Sequence, residues 1–273
     1  MQGETPGEVF VDATGVAGDR AYALVDGETG AVASAKDPRR WAALLGFSAR
    51  FSAEPGRGQP VTITLPGGVE VSSTDPDINA QLSSAAGRTV ALSGAPASGA
   101  SYDEVWPDVD GLAPEEFVAS LRTGQTSAGE AVTANPVGIL APGTFQDVAP
   151  VTILTTASLR AARRLYPAGD WDPRRFRMTI LVDADGDCFI ENDWLGRTLT
   201  IGTVRLSIFA PTPRCVMVTL AQPDLGADRD VLTTVARHNR AELPGAGRFA
   251  CLGAYASVDV GGTIGVDDNI ELA

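Results

Sequence analysis

Histidine and cysteine are scarce in this 273-residue chain: His238 is the one histidine, and Cys188, Cys215 and Cys251 stand far apart. One histidine excludes a two-histidine metal motif. A serine triad would have to use His238, and no nucleophile-elbow pattern precedes it. Three dispersed cysteines give neither a disulfide framework nor zinc-ligand spacing. Positive charge is also in short supply, with 21 Lys and Arg against 34 Asp and Glu, a net charge of −13. Without a long basic run, nucleic acid and anionic membrane surfaces are excluded as partners. No apolar run is long enough to span a bilayer, and residues 1–8 lack the basic and apolar regions of a signal peptide. There is no Walker or dinucleotide glycine loop, no flavin or iron–sulfur motif and no internal repeat. These absences predict a soluble, cytoplasmic protein in a reducing compartment.

Glycine (30) and proline (18) are abundant, while aromatics make up 6% of the chain. That composition favours many short strands and turns, and 44% hydrophobic residues allow a full core. Strands are expected at 9–11 and 20–25, with a hairpin from 61 to 71 around Pro66-Gly67-Gly68. A helix carrying Ile78, Leu82 and Ala85 ends at Gly87, and a short strand follows at 89–92. A short helix is expected at 113–121. In the second half, a strand at 151–154 leads to a helix capped by Thr155 or Thr156. Strands at 177–182 and 215–219, a hairpin around Gly202-Thr203, a helix capped by Asp228 or Asp230, and strands at 255–258 and 263–272 complete the reading. The expected fold class is mostly β (α+β): an N-terminal β domain at 1–98, a connector at 99–132, and a β-barrel domain with a few short helices at 133–273.

Cys215 stands directly after Arg214, at the mouth of the strand expected over 215–219. Beside a fixed positive charge a thiol can be held as thiolate, the form that attacks carbon, carries sulfur or binds a soft metal. The alternative is a buried core thiol. Arg174, Arg175, Arg177 and Arg214 are the candidate anion-binding charges, and Thr155 and Thr156 offer hydroxyls at a helix N-terminus. Ordinary capping and surface charge would explain the same residues. His238 shares the apolar helix face of Val231 and Val235, which predicts a packed or half-buried side chain. The carboxylates Asp183, Asp185, Asp187, Glu191 and Asp193 are dense, but they lack calcium-loop spacing and read as a solvated turn.

Several motifs follow one another in order along the chain. Gly15-Val-Ala-Gly-Asp-Arg-Ala-Tyr-Ala-Leu-Val-Asp26 is followed by Ala35-Lys-Asp-Pro38. The second half holds Leu154-Thr-Thr-Ala-Ser-Leu159, Arg175-Phe-Arg177, Asp193-Trp194 with Ile201-Gly202, Arg214-Cys215 with Thr219, and Leu252-Gly-Ala-Tyr255 before Gly262-Thr-Ile264. With these, nearly the whole chain resembles the MOSC-domain proteins (molybdenum cofactor sulfurase C-terminal domain) with their N-terminal β companion domain. By pattern it is most similar to the amidoxime-reducing enzymes.

The resemblance implies a molybdenum-pterin cofactor, or sulfur carried on cysteine. Cys215 matches the cysteine that ligates molybdenum. Arg20 and Arg177 match cofactor-contacting positions, while Arg214, Thr155, Thr156 and Tyr255 match the pocket region. The implied activity is a molybdenum-dependent oxidoreductase that reduces small N-hydroxylated substrates. Electrons would come from a separate flavin, iron–sulfur or haem protein, and the chain would act as a monomer. A persulfide sulfur-transfer protein and a cofactor-free binding module are the alternatives. Two departures stand out. Met178-Thr179 occupies the place where amidoxime reducers usually show Pro-Asn. The family's usual opening strand, ending in Tyr-Pro-Val-Lys-Ser, is missing ahead of Met1-Gln2-Gly3. That absence predicts a strand at 9–11 short of a partner, with unpaired backbone at a barrel edge.

Overall fold

The structure, a computed structural model, describes residues 4–273; the Met1-Gln2-Gly3 start lies outside the described residues. The N-terminal half contains β1 (Glu8–Asp12), β2 (Gly15–Val16), β3 (Ala23–Asp26), α1 (Pro38–Trp41), β4 (Ser48–Phe51), β5 (Val61–Thr64), β6 (Glu70–Ser72), α2 (Ile78–Ala86) and β7 (Val90–Ser93). Antiparallel β4-β5-β6 and the β3–β7 ribbon share a core of Leu24, Trp41, Phe47, Ile63, Leu82 and Val90. α2 stops where Gly87 adopts φ +70° and closes it, as its sequence predicts.

The stretch expected as a connector is itself folded. β8 (Ser101–Trp106), α3 (Glu115–Leu121), β9 (Arg122–Gln125) and β10 (Ala131–Pro136) give a three-stranded antiparallel sheet in the order β8-β10-β9. The second half holds β11 (Val151–Thr155), α4 (Thr156–Leu165), β12 (Ile180–Val182), β13 (Thr198–Ile201), β14 (Val204–Pro213), α5 (Arg229–His238), β15 (Arg240–Leu243), β16 (Gly247–Val260), β17 (Gly262–Gly265) and β18 (Ile270–Leu272). Six of these strands curl into a half-barrel in the order β12-β11-β16-β14-β13-β18, and β15 pairs with β16 off that path. Ile153, Leu199, Leu206, Ile208 and Ala254 fill one core, while α4 and α5 help bury Leu159, Trp171, Leu232, Val235 and Leu252 in another. The fold is mostly β with short helices.

Residues 9–11 do not lack a partner. β1 lies between β2 and β17, with Val9 opposite Ile264, and Val11 enters the core of the C-terminal half. Three other expectations change. The strands expected from Arg20 and Arg177 begin only at Ala23 and Ile180. Both arginines sit in the left-handed region, at φ +50° and +53°, which breaks an extended chain. Residues 216–219 form a single 3₁₀ turn instead of a strand, with Cys215 at its N-terminal boundary. His238 is exposed, because α5 ends with it and the helix face has left its neighbours behind. Among the described residues, no helix is long and apolar enough to cross a membrane.

Candidate functional site

Two long strands set the site. β14 shifts register against β16 between Ile208 and Ala210 and again between Pro211 and Pro213, and the last backbone bond to β16 runs from Arg214 N–H to the Ala250 carbonyl at 2.8 Å, directly before Cys215. Opposite, β16 bends at Gly253 (φ +86°), where a Cβ would come within 2.5 Å of both the Ile153 carbonyl oxygen and Met178 Cε. Only glycine permits that approach of β16 to β11 and to the Met178 segment.

Cys215 is half-buried on the wall of a cleft of 2090 Å³, which Arg20, Lys36, Arg177, Arg214 and Tyr255 also line. Asp147 organises the cations. Arg20 Nη1 donates to its Oδ1 at 2.7 Å, and Lys36 Nζ lies 3.1 Å from its Oδ2. Lys36 is also 3.7 Å from Glu104 Oε2 and donates to the Tyr102 hydroxyl at 2.9 Å. Asn135 on β10 donates to Glu104 at 3.3 Å. Arg20 and Lys36 come from the N-terminal half, Glu104 from the middle sheet, and Asp147 from the loop before β11. One ionic cluster therefore fastens three parts of the chain.

Arg214 is buried and is used differently. Its Nε donates to the Thr212 carbonyl at 3.3 Å, and its Nη1 to the Phe176 carbonyl at 3.0 Å, with Met178 Sδ at 3.5 Å. It thus holds the backbone before Arg177 and the side chain after it. The aromatic wall nearby is Phe209 stacked on Tyr255, with ring centres 6.1 Å apart.

Burial and charge oppose each other across this cleft. Burial works against ionised Asp147, but Lys36 and Arg20 outweigh it and hold the carboxyl well below the usual range. Lys36 is raised despite its burial, because Asp147 and Glu104 both face it. Burial pushes Glu104 upward. Burial lowers Arg177 and Arg214, and Arg20 adds repulsion at Arg177. Burial also pushes the Cys215 thiol up; Lys36, the Met217 backbone N–H and Arg214 pull the other way without reversing it. The thiolate expected beside Arg214 is therefore not preformed, and Lys36 is the stronger of the two favourable charges. Tyr255 is pushed by burial to about 12 and remains an O–H donor at neutral pH.

Arg20, Arg177, Arg214, Cys215 and Tyr255 thus come together, while Thr155 and Thr156 stand apart from the cleft. Thr155 is fully buried; its hydroxyl caps α4 by accepting from Ser158 N–H at 3.1 Å, and its own N–H donates to Glu191 Oε1 at 2.6 Å. Glu191 also accepts from the Ser158 hydroxyl, so a buried carboxylate already answers this helix terminus. Thr156 donates to Asp183 at 2.7 Å. Among the described residues no three His, Cys, Asp or Glu side chains could together hold a metal ion. Cys188 is exposed, and Cys251 is buried with its thiol pushed to about 12. Lys36, Tyr102, Glu104 and Asp147 are the site residues that sequence reasoning missed. Lys36 lies inside the Ala35-Lys-Asp-Pro38 motif, which was its one available signal.

Two solved structures are similar to parts of the chain. YiiM from Geobacillus stearothermophilus is 16% identical over 46% of this chain and 54% of its own, with a TM-score of 0.32. A protein described as hypothetical is 13% identical over 48% of this chain and 55% of its own, with a TM-score of 0.33. The chain spans about half the length of both. No curated protein matches it. Residues 142–271, the stretch that contributes Asp147, Arg177, Arg214, Cys215 and Tyr255, match the MOSC domain, a family linked to molybdenum-cofactor binding and to sulfur-related functions.

Proposed function

We infer that the cleft binds a molybdenum-pterin cofactor and that the protein is an oxidoreductase reducing small N-hydroxylated substrates with electrons from a separate redox protein. The observation that carries this reading is the Cys215 thiol on the same cleft as buried Arg214, a cation whose hydrogen bonds go to neutral groups. Arg214 donates to two backbone carbonyls and a thioether, and burial lowers it. An anionic group would relieve that cost. The Thr212 hydroxyl, also on the cleft, is buried with no hydrogen-bond partner and offers one more contact. These features suit a phosphate-bearing pterin with a soft metal.

When bound, such a cofactor supplies two-electron redox chemistry. The protein would supply the rest. Arg20, Arg177 and Arg214 would neutralise the anionic groups. Lys36, fixed by Asp147, would favour the deprotonated form of Cys215 that ligation requires, and a metal would complete the ionisation. Tyr255 would present an O–H donor in the same space. A sulfur carrier would need an accessible thiolate of low pKa, and burial moves Cys215 the other way.

The test is elemental analysis of chain purified from a host that makes the cofactor. Molybdenum should co-purify near equal stoichiometry, and Cys215→Ser should lose most of the metal while its circular dichroism stays unchanged. Full molybdenum retention in Cys215→Ser would overturn the ligand assignment. A sulfur adduct on metal-free protein, released by a reducing thiol, would favour the sulfur carrier.

A further inference from the structure

Among the described residues, the buried side-chain atoms without a hydrogen-bond partner are Asp26 Oδ2, Arg88 Nε, Thr212 Oγ1 and both amide atoms of Gln222. Asp26 and Arg88 face each other as an ion pair at 3.0 Å, away from the cleft. Thr212 and Gln222 both line the cleft that holds Cys215. Gln222 is the more exceptional of the two. It is 8% exposed, yet neither its Nε2 donor nor its Oε1 acceptor is satisfied. Leaving an amide in that state is unfavourable, because both groups have given up water without gaining a partner.

The backbone holds this side chain in place. Gln222 N–H donates to the Leu225 carbonyl at 2.9 Å and Leu225 N–H returns the bond at 3.0 Å, a tight turn completed by Asp224 at φ +64°. Fully buried Arg175 braces both ends, donating to the Leu220 carbonyl at 3.3 Å and to the Gly226 carbonyl at 2.7 Å. The loop is therefore preorganised around an amide that lacks partners of its own.

Building on the reductase reading above, we propose that Gln222 is a specificity-determining residue. Its paired donor and acceptor select neutral substrates that carry an acceptor next to an N–H or O–H donor, as a hydroxamic acid does. A buried donor–acceptor pair discriminates strongly, because a substrate lacking either complement leaves the protein group unpaired. The same logic gives Gln222 an opposite effect on the empty protein, where it is a stability defect.

The test titrates the full chain as purified, by calorimetry, with benzhydroxamic acid and with methyl benzoate, which keeps the acceptor and lacks the donor. Wild type should prefer benzhydroxamic acid by about tenfold, the equivalent of one well-made hydrogen bond. Gln222→Met should abolish that preference and raise the melting temperature. Gln222→Glu keeps an acceptor for the donor of benzhydroxamic acid and should retain the preference. An unchanged preference in Gln222→Met, or no binding of either probe to wild type, would overturn the proposal. A melting temperature lowered by Gln222→Met would do the same, since it marks a structural role. Molybdenum content measured on the same preparations separates the two ideas. Metal-free protein with a Gln222-dependent preference sinks only the molybdenum reading, and metal-loaded protein without that preference sinks only the role of Gln222.

Discussion

Replacing Asp147 by asparagine keeps the side-chain shape and removes the one carboxylate that touches both Arg20 and Lys36. Breaking a buried ion pair from one side costs about 3–5 kcal/mol, because the remaining charge is left uncompensated. Here Arg20 and Asp147 keep 29% and 30% of their side-chain surface, and Glu104 still faces Lys36 at 3.7 Å. The low end, about 3 kcal/mol, therefore applies. For a chain of this size that is a fall in melting temperature of roughly 6–12 °C. Thermal unfolding followed by circular dichroism at neutral pH measures it. Arg20→Met in the same background should recover part of the loss, since it removes the charge that Asp147→Asn strands, whereas Lys36 keeps Glu104. The pH dependence fixes the sign. Asp147 titrates below its ordinary value of 3.8, so its contribution is present above that value and is lost as pH falls through the lower folded-state pKa. The gap between wild type and Asp147→Asn should stay constant from neutral to mildly acid pH and close only below about pH 4. A gap under about 0.5 kcal/mol, the range of an ordinary surface change, would refute the clamp. So would a gap that closes near neutrality, or a double variant no more stable than Asp147→Asn.

Arg177→Gly should separate strain from binding. A non-glycine residue in the left-handed region costs roughly 1–2 kcal/mol, and glycine's own flexibility offsets much of that relief, so the backbone itself contributes little to any change in melting temperature. Molybdenum retention after dialysis should nonetheless fall about ten- to hundredfold in affinity, the value of a charge-assisted bond. Arg122→Ala on β9 should change neither, and equal losses at both positions would show the site to be misplaced. The thiols of metal-free protein should alkylate in the order Cys188, Cys215, Cys251, read by peptide mass spectrometry, with Cys251 reacting only after denaturant is added. Modification of Cys215 ahead of exposed Cys188 at neutral pH would mean that Lys36 and Arg214 outweigh burial after all.

The parts of this protein that sequence reading reached are those whose causes are local. The turn at Pro66-Gly67-Gly68, the glycine that closes α2, and the caps Thr155 and Asp228 each act within a few residues, and each element lies where those signals put it. The failures have non-local causes. Val216 and Val218 fit a short strand as well as a 3₁₀ turn, and the bonding to β16 that would extend a strand stops at Arg214 N–H and the Ala250 carbonyl. Arg20 and Arg177 look like strand residues. Their left-handed backbones are held where Arg20 meets Asp147, 127 residues away, and where Arg214 takes the Phe176 carbonyl. Thr155 reads equally as cap or ligand, until Glu191, 36 residues on, is seen to occupy the helix terminus. Lys36, Glu104 and Asp147 were missed because no spacing joins three segments that only the fold brings together. Yet they fix the charges around Cys215. A motif match can therefore single out a candidate sulfur, while the proton affinity of that sulfur is set by residues the motif does not pair with it.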